Sequence, residues 1–137
     1  MKKTIITTLI ALSIFLSGAL IENIFLSRSF SAFQNNLKIL YDKTELKSAT
    51  LNDAYSTQEF WHKQKEYLHT VIPHTEIKEI DLWISEAVRL IAQKNFSEAQ
   101  QKIEVLLELS NQIPSSFKIK LRNVFWLFEF YLYYCTN

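Results

Sequence analysis

Two glutamate–histidine steps on one stretch of the chain are the residues best suited to chemistry. Glu59 precedes His62 by three residues, and Glu66 precedes His69 by three. This spacing supplies ligands in carboxylate-bridged metal sites, but those sites draw the two pairs from different helices, and no other predicted helix of this sequence contains such a pair. At ~100° per residue, the four side chains lie away from the apolar face of their helix. We therefore interpret them as a solvent-exposed face, with weak surface zinc binding as the alternative.

The remaining reactive side chains are isolated in sequence. His74 follows Pro73 and is interpreted as a capping or corner residue, because no nucleophile or acid lies near it. Cys135 is the only cysteine, so it has no intramolecular disulfide partner. The sequence contains no serine-nucleophile elbow, phosphate loop, zinc-protease helix or paired-cysteine motif. We expect a protein that is not an enzyme and that uses no cofactor or metal.

Composition indicates an all-α protein. Among 137 residues there is one glycine, Gly18, and two prolines, Pro73 and Pro114, so the usual residues of tight hairpins are missing. Fifteen Lys and Arg stand against 14 Asp and Glu. Nucleic-acid binding requires clustered positive charge, and this balance gives it no support.

The N-terminal segment is predicted to be a membrane anchor. Residues 4–21 are uncharged and follow Lys2 and Lys3, and as a helix they would be roughly 27 Å long, which nearly crosses a bilayer core. The alternative is a cleaved signal peptide, for which Ser17-Gly18-Ala19 supplies small residues. We expect residues 1–26 to form a single-pass anchor in the cell membrane, with the N-terminus cytoplasmic and the domain outside. The domain would be secreted if the segment were cleaved.

The anchor helix is predicted to continue into a small antiparallel bundle of about four further helices, within residues 27–125. Five apolar residues recur at steps of four and three and share one helix face: Leu26, Phe30, Phe33, Leu37 and Leu40. Ser48 or Thr50 would cap the second helix. Its apolar face is predicted to contain Phe60, Trp61, Tyr67, Leu68 and Val71.

Two prolines are predicted to end helices. Pro73 would end the second helix at a tight corner, after which His74 or Thr75 would cap the third. Structural constraint is expected at Ile72, Pro73, His74 and Ile77. Ser97 and Gln100 would form a capping box for the fourth helix, and Pro114 would end it.

The C-terminal extension, residues 126–137, is predominantly apolar and aromatic. From Val124 to Cys135 the only charged residue is Glu129. Such a helix packs in a core, lies at a membrane surface with Trp126 at headgroup depth, or docks on a protein. The sequence leaves these three interpretations open.

Three short motifs resemble an uncharacterised bacterial family, the domain of unknown function 4363. They are Phe60-Trp61-His62-Lys63, the corner from Val71 to Ile77, and Ile113-Pro114 with Leu121-Arg122-Asn123-Val124-Phe125. The resemblance implies one membrane helix followed by a helical domain, and it transfers no catalytic residue. This chain departs from the family pattern after Phe125, where aromatic residues continue.

These features together predict a membrane-anchored interaction module. It would contact membrane lipid through its first helix and bind an integral membrane protein or a second copy of itself. The residues predicted to take part in interaction are Phe30, Phe33, Leu37, Trp61 and Trp126. The alternative is a domain that binds a lipid or small apolar ligand between helices lined by Phe60, Trp61, Trp83 and Phe96.

Overall fold

Four α-helices make up the described part of the chain. The computed structural model describes residues 2–117, except for the side chains of residues 2–5, 8–9, 11–12, 15–16 and 19. The helices are α1 (Lys2–Glu45), α2 (Leu51–Leu68), α3 (His74–Ala92) and α4 (Phe96–Phe117). The all-α prediction is confirmed over this range, in which no β-strand occurs. Residues 118–137, which include the predicted extension 126–137, lie outside the described residues.

Neighbouring helices run antiparallel. On α1, Gln34 contacts Asn111 of α4, and about two turns further along, Tyr41 contacts Glu104. The residue numbers on α4 therefore fall as those on α1 rise. The same reversal relates α1 to α2, since Lys43 pairs with Asp53. Contacts of α1 with α2 and α4, and of α3 with α2 and α4, close the helices into a four-helix bundle.

The apolar stripe of α1 forms the centre of the core. Leu26, Phe30, Phe33, Leu37 and Leu40 are all at most 2% exposed. Their alternating steps of four and three keep one face of the helix against its neighbours, as the sequence predicted. The apolar faces of α3 and α4 are also buried, and they meet α1 in one continuous core. The prediction for α2 is correct at Trp61 and Leu68 but wrong at Tyr67, which is exposed.

Local hydrogen bonds decide where the helices begin and end. Thr50, one of the two predicted caps, is the N-cap of α2 and forms a capping box with Asp53. Two residues after the end of α1 and of α3, the chain has a lysine in the left-handed region: Lys47 (φ 54°) after α1 and Lys94 (φ 58°) after α3. After Lys94, the side-chain oxygen of Asn95 accepts from the Glu98 amide at 3.4 Å. The predicted Ser97–Gln100 capping box is therefore wrong, because α4 has already begun at Phe96.

The corner between α2 and α3 is longer than predicted. Helix α2 ends at Leu68 rather than at Pro73, and the Leu68 carbonyl accepts from the amides of both Val71 and Ile72. Pro73 occupies the N-cap position of α3, where its own carbonyl accepts from the Ile77 amide at 3.3 Å. No side chain caps this helix, so the prediction that His74 or Thr75 does so is wrong.

Pro114 does not end α4, contrary to the prediction. The helix continues to Phe117 with Pro114 inside it. A proline lacks the amide that would bond to the carbonyl four residues earlier, here that of Ser110. Gln34 of α1 supplies the missing donor, with its side-chain nitrogen 2.9 Å from the Ser110 carbonyl oxygen. A partner distant in sequence thus satisfies the carbonyl that the proline leaves free.

Among the described residues, no helix offers an apolar stretch long enough to cross a membrane. The predicted anchor, residues 1–26, belongs to α1 from Lys2 onward. Many of its side chains lie outside the described set.

Candidate functional site

Trp61 joins three helices at the centre of the bundle. Its side chain is fully buried on α2, with its ring centroid 4.9 Å from that of Phe33 and 6.3 Å from that of Phe30. The indole nitrogen donates to Asp81 of α3 at 2.8 Å. Lys65 donates to both oxygens of the same carboxylate, at 2.9 and 3.1 Å. These bonds satisfy the polar edge of a buried ring, which is a structural role.

The structure places four of the five predicted interaction residues inside this chain's own core. Phe30, Phe33, Leu37 and Trp61 are each at most 1% exposed. These four side chains belong to one core cluster with residues of all four helices, so they do not form a face that is free for a partner. Trp126, the fifth, lies outside the described residues. A partner surface on the described part of the molecule must therefore use other side chains.

The glutamate–histidine steps lie on the exposed face of α2, as predicted. All four side chains are exposed, and Lys63 pairs with Glu59 at 2.9 Å. The hydrogen bond from Lys63 lowers the pKa of the Glu59 carboxyl below its ordinary value. Within the described residues, no group of three or more His, Cys, Asp or Glu side chains is arranged to hold a metal ion.

The α2–α3 corner brings together two histidines separated in sequence. The ring centroids of His69 and His74 are 6.4 Å apart. They line a shallow groove of about 320 Å³ with Lys65, Glu66 and Ile77. Ile72 and Ile77 anchor the corner in the core at 3% and 7% exposure, whereas Pro73 and His74 are exposed. The lysine that lines this groove, Lys65, is already paired with Asp81.

The first half of α1 exposes large apolar side chains. Each is more than two-fifths exposed, and the set is Ile6, Ile10, Ile14, Leu20, Ile21, Ile24 and Phe25. The buried stripe begins immediately afterwards at Leu26. One uninterrupted helix therefore changes from an exposed apolar surface to a packed core within a few residues. Large contiguous apolar surfaces of this kind mark membrane or protein contact sites.

A groove between α1 and α2 lies at this change. It has a volume of about 370 Å³ and is lined by Phe25, Arg28, Ser29, Ala32, Gln64 and Tyr67, and we call it the α1–α2 groove. Tyr67 is 65% exposed and Phe25 is 41% exposed. Arg28 forms no ion pair within the described part of the chain. The groove thus combines two accessible aromatic rings with one unpaired cation.

The sequence did not reveal this groove. The apolar pattern of α2 predicts that Tyr67 is buried, and Arg28 belongs to none of the motifs described above. Their proximity depends on how α2 packs back on α1, which the spacing within either helix does not specify. A basic residue shortly after the end of an apolar run is typical of a membrane interface, so Arg28 is the signal that the sequence offers.

Comparison with known proteins identifies a family. The family described as "Domain of unknown function (DUF4363)" matches residues 24–124. This range begins beside the α1–α2 groove and includes the second half of α1 and all of α2, α3 and α4. No curated protein and no solved structure matches the chain.

Proposed function

The chain belongs to the DUF4363 family, and from that premise we propose that it is a membrane-anchored, non-enzymatic helical interaction module. The bundle lies outside the cytoplasm, the N-terminus lies inside, and the partner is an integral membrane protein or a second copy of the chain. The family description assigns no reaction. The proposal therefore rests on the residues themselves.

One observation carries the proposal: a single helix contains both an uncharged apolar run and the central stripe of the core. Residues 4–21 carry no charge, and the described isoleucines at positions 6, 10 and 14 are each at least 56% exposed. Leaving these side chains in water would forgo about 25 cal/mol for every Å² of apolar surface. A bilayer or a partner helix within it removes that surface from water. Because α1 has no break, the bundle would stand directly on the anchor.

The alternative of a small apolar ligand between the helices has less support. Trp61, one of its predicted lining residues, is fully buried against Phe30 and Phe33. Phe60, Trp83 and Phe96 pack against the same core. All four side chains thus pack within or against the core of the protein itself, which gives a ligand between the helices less support.

In-cell photo-crosslinking of the full chain tests the proposal. A photoreactive residue at Ile14 or Ile21 should give one discrete adduct in the membrane fraction, either with a membrane protein or with a second copy. The matched control is the same residue at Lys78, which is exposed on α3 and should not give that adduct. Recovery of the chain outside the membrane fraction, or adducts with lipid alone, would contradict it.

The orientation is tested separately in spheroplasts. Protease added from outside should digest the bundle, including the exposed α2–α3 corner, without lysis. Protection of the bundle until lysis would show that it lies in the cytoplasm and would overturn the proposed orientation.

A further inference from the structure

We propose that the α1–α2 groove binds the headgroup of an anionic phospholipid from the membrane that holds the chain. The proposal rests on the proposed function, because it requires the bundle to stand at a bilayer surface. It adds a site, a ligand class and the residues that recognise it. Arg28 contacts the lipid phosphate, and Phe25 and Tyr67 contact the region where headgroup meets acyl chain.

The chemistry of the lining residues fits this ligand. An arginine guanidinium forms paired hydrogen bonds to phosphate oxygens, and Arg28 has no ion-pair partner among the described residues. The Gln64 amide adds a further donor beside it. Tyrosine and phenylalanine rings are amphipathic or apolar groups suited to the boundary between acyl chains and headgroups. The groove therefore presents one cation, one amide and two accessible rings to a single amphipathic ligand.

The position of the groove fits the same ligand. Phe25 is the last of the exposed apolar residues of α1, and Arg28 lies three residues further on. The buried stripe begins between them at Leu26. In an anchored chain, this point of the helix lies where hydrocarbon gives way to headgroups. Anionic lipids at a bilayer surface attract basic residues within about one Debye length. A free cation at this depth is complementary to that charge.

The neighbouring groove at the α2–α3 corner lacks this combination. Its lysine, Lys65, is held by Asp81 at 2.9 Å, and Glu66 adds a negative charge to the lining. An anionic headgroup there would have to compete with two carboxylates. The choice between the two grooves therefore follows from which cation is free.

Reconstitution of the full chain into vesicles provides the test. Vesicles of phosphatidylcholine would contain a trace of spin-labelled phosphatidylglycerol or spin-labelled phosphatidylcholine. The fraction of label immobilised by the protein would then be measured by electron paramagnetic resonance. We expect about a fivefold preference for phosphatidylglycerol, as one cation near an anionic lipid surface provides. Arg28→Gln should remove most of this preference, and Tyr67→Ala should weaken it.

Lys38→Gln is the matched control. It removes one exposed positive charge from the same helix, ten residues and roughly 15 Å further along, and should keep the wild-type preference. If wild type and Arg28→Gln had the same preference, or if both glutamine variants lost it equally, the proposed lipid site would be wrong. The proposed anchor would not be affected. A protein that fails to float with the vesicles would overturn the anchor and the groove together. Flotation of all variants before the lipid measurement separates these results.

Discussion

At the scale of single residues, two tryptophans of the bundle differ in the hydrogen bonding of their indole nitrogens. The Trp61 indole nitrogen donates to Asp81, whereas the buried Trp83 indole nitrogen has no acceptor among the described residues. The Trp83 ring is instead contacted by the Lys102 ammonium, 4.7 Å from its centroid. Loss of a satisfied bond to a charged group is costly, whereas loss of an unsatisfied donor is not.

Phenylalanine substitutions should separate these two environments. Trp61→Phe should lower the free energy of unfolding by about 2–3 kcal/mol, because it removes the bond to Asp81 and leaves a void in the core. Trp83→Phe should change it by less than about 1 kcal/mol, because no hydrogen bond is lost. Urea unfolding of the full chain in detergent micelles measures both. Equal costs would show that the hydrogen bond to Asp81 contributes little.

Asp53 makes stability depend on pH in the acid range. A hydrogen bond from Lys43, followed by bonds from Thr50, lowers the pKa of Asp53 from 3.8 to about 2. Because the folded pKa lies below the unfolded one, the stabilisation is present above about pH 4 and is lost as the pH falls towards about 2. Both side chains are partly exposed, at 44% for Lys43 and 22% for Asp53, so solvent screens part of the effect.

Lys43→Met should reduce this acid sensitivity. It removes the largest cause of the lowered pKa while Thr50 keeps its bonds to Asp53. The variant should be less stable than wild type at pH 7 by up to about 1 kcal/mol, and the two should converge near pH 2. Thermal melts at a series of pH values measure the difference. A gap that stays constant across this range would contradict the assigned role of Lys43.

At the scale of helices, the most informative departure from the sequence prediction is Pro114. A proline in a helix interior costs about 3 kcal/mol and usually ends or kinks the helix. In α4 the helix continues because Gln34 donates to the carbonyl that proline leaves free. Gln34 also donates to Asn111 at 2.9 Å, so one side chain fixes α1 against this turn of α4.

A double-mutant cycle tests whether Gln34 compensates for Pro114. Gln34→Ala should destabilise the wild-type chain by about 1–2 kcal/mol, because it leaves the Ser110 carbonyl unpaired. In the Pro114→Ala background the same change should cost less, since the alanine amide can bond to that carbonyl. The bond to Asn111 is lost in both backgrounds and cancels in the cycle. A coupling energy near zero would show that the two residues act independently.

At the scale of the whole molecule, periodicity predicts the core well and predicts long-range compensation poorly. The steps from Leu26 to Leu40 depend only on residues within one helix, and all five are buried as expected. Gln34 and Ser110 are 76 residues apart, so no local pattern connects the glutamine with the fate of Pro114. The α1–α2 groove belongs to the same class, since Arg28 and Tyr67 meet through packing. The predicted cap at Ser97 is wrong for a local reason. Lys94 adopts a left-handed conformation, and α4 begins at Phe96, one residue before Ser97.

One continuous core should make the four helices unfold together. Leu37 is fully buried, and its core includes residues from α1, α2, α3 and α4, whereas Ile39, two residues later, is 58% exposed. Leu37→Ala should cost about 2–5 kcal/mol of unfolding free energy through lost burial and the remaining cavity. Ile39→Ala should stay within about 0.5 kcal/mol of wild type.

Two probes of the same urea titration examine this cooperativity. Far-UV circular dichroism follows helix content, and in a Trp126→Phe background tryptophan fluorescence follows packing around Trp61 and Trp83. In Leu37→Ala, both transitions should move to the same lower urea concentration, because α1 packs into the core that the other helices share. If fluorescence changed before helix content, the packed part of α1 would separate from α2, α3 and α4 without unfolding them. The first half of α1 and the other three helices would then behave as separate folding units, and a contact made by the exposed isoleucines of α1 would not be transmitted to the bundle.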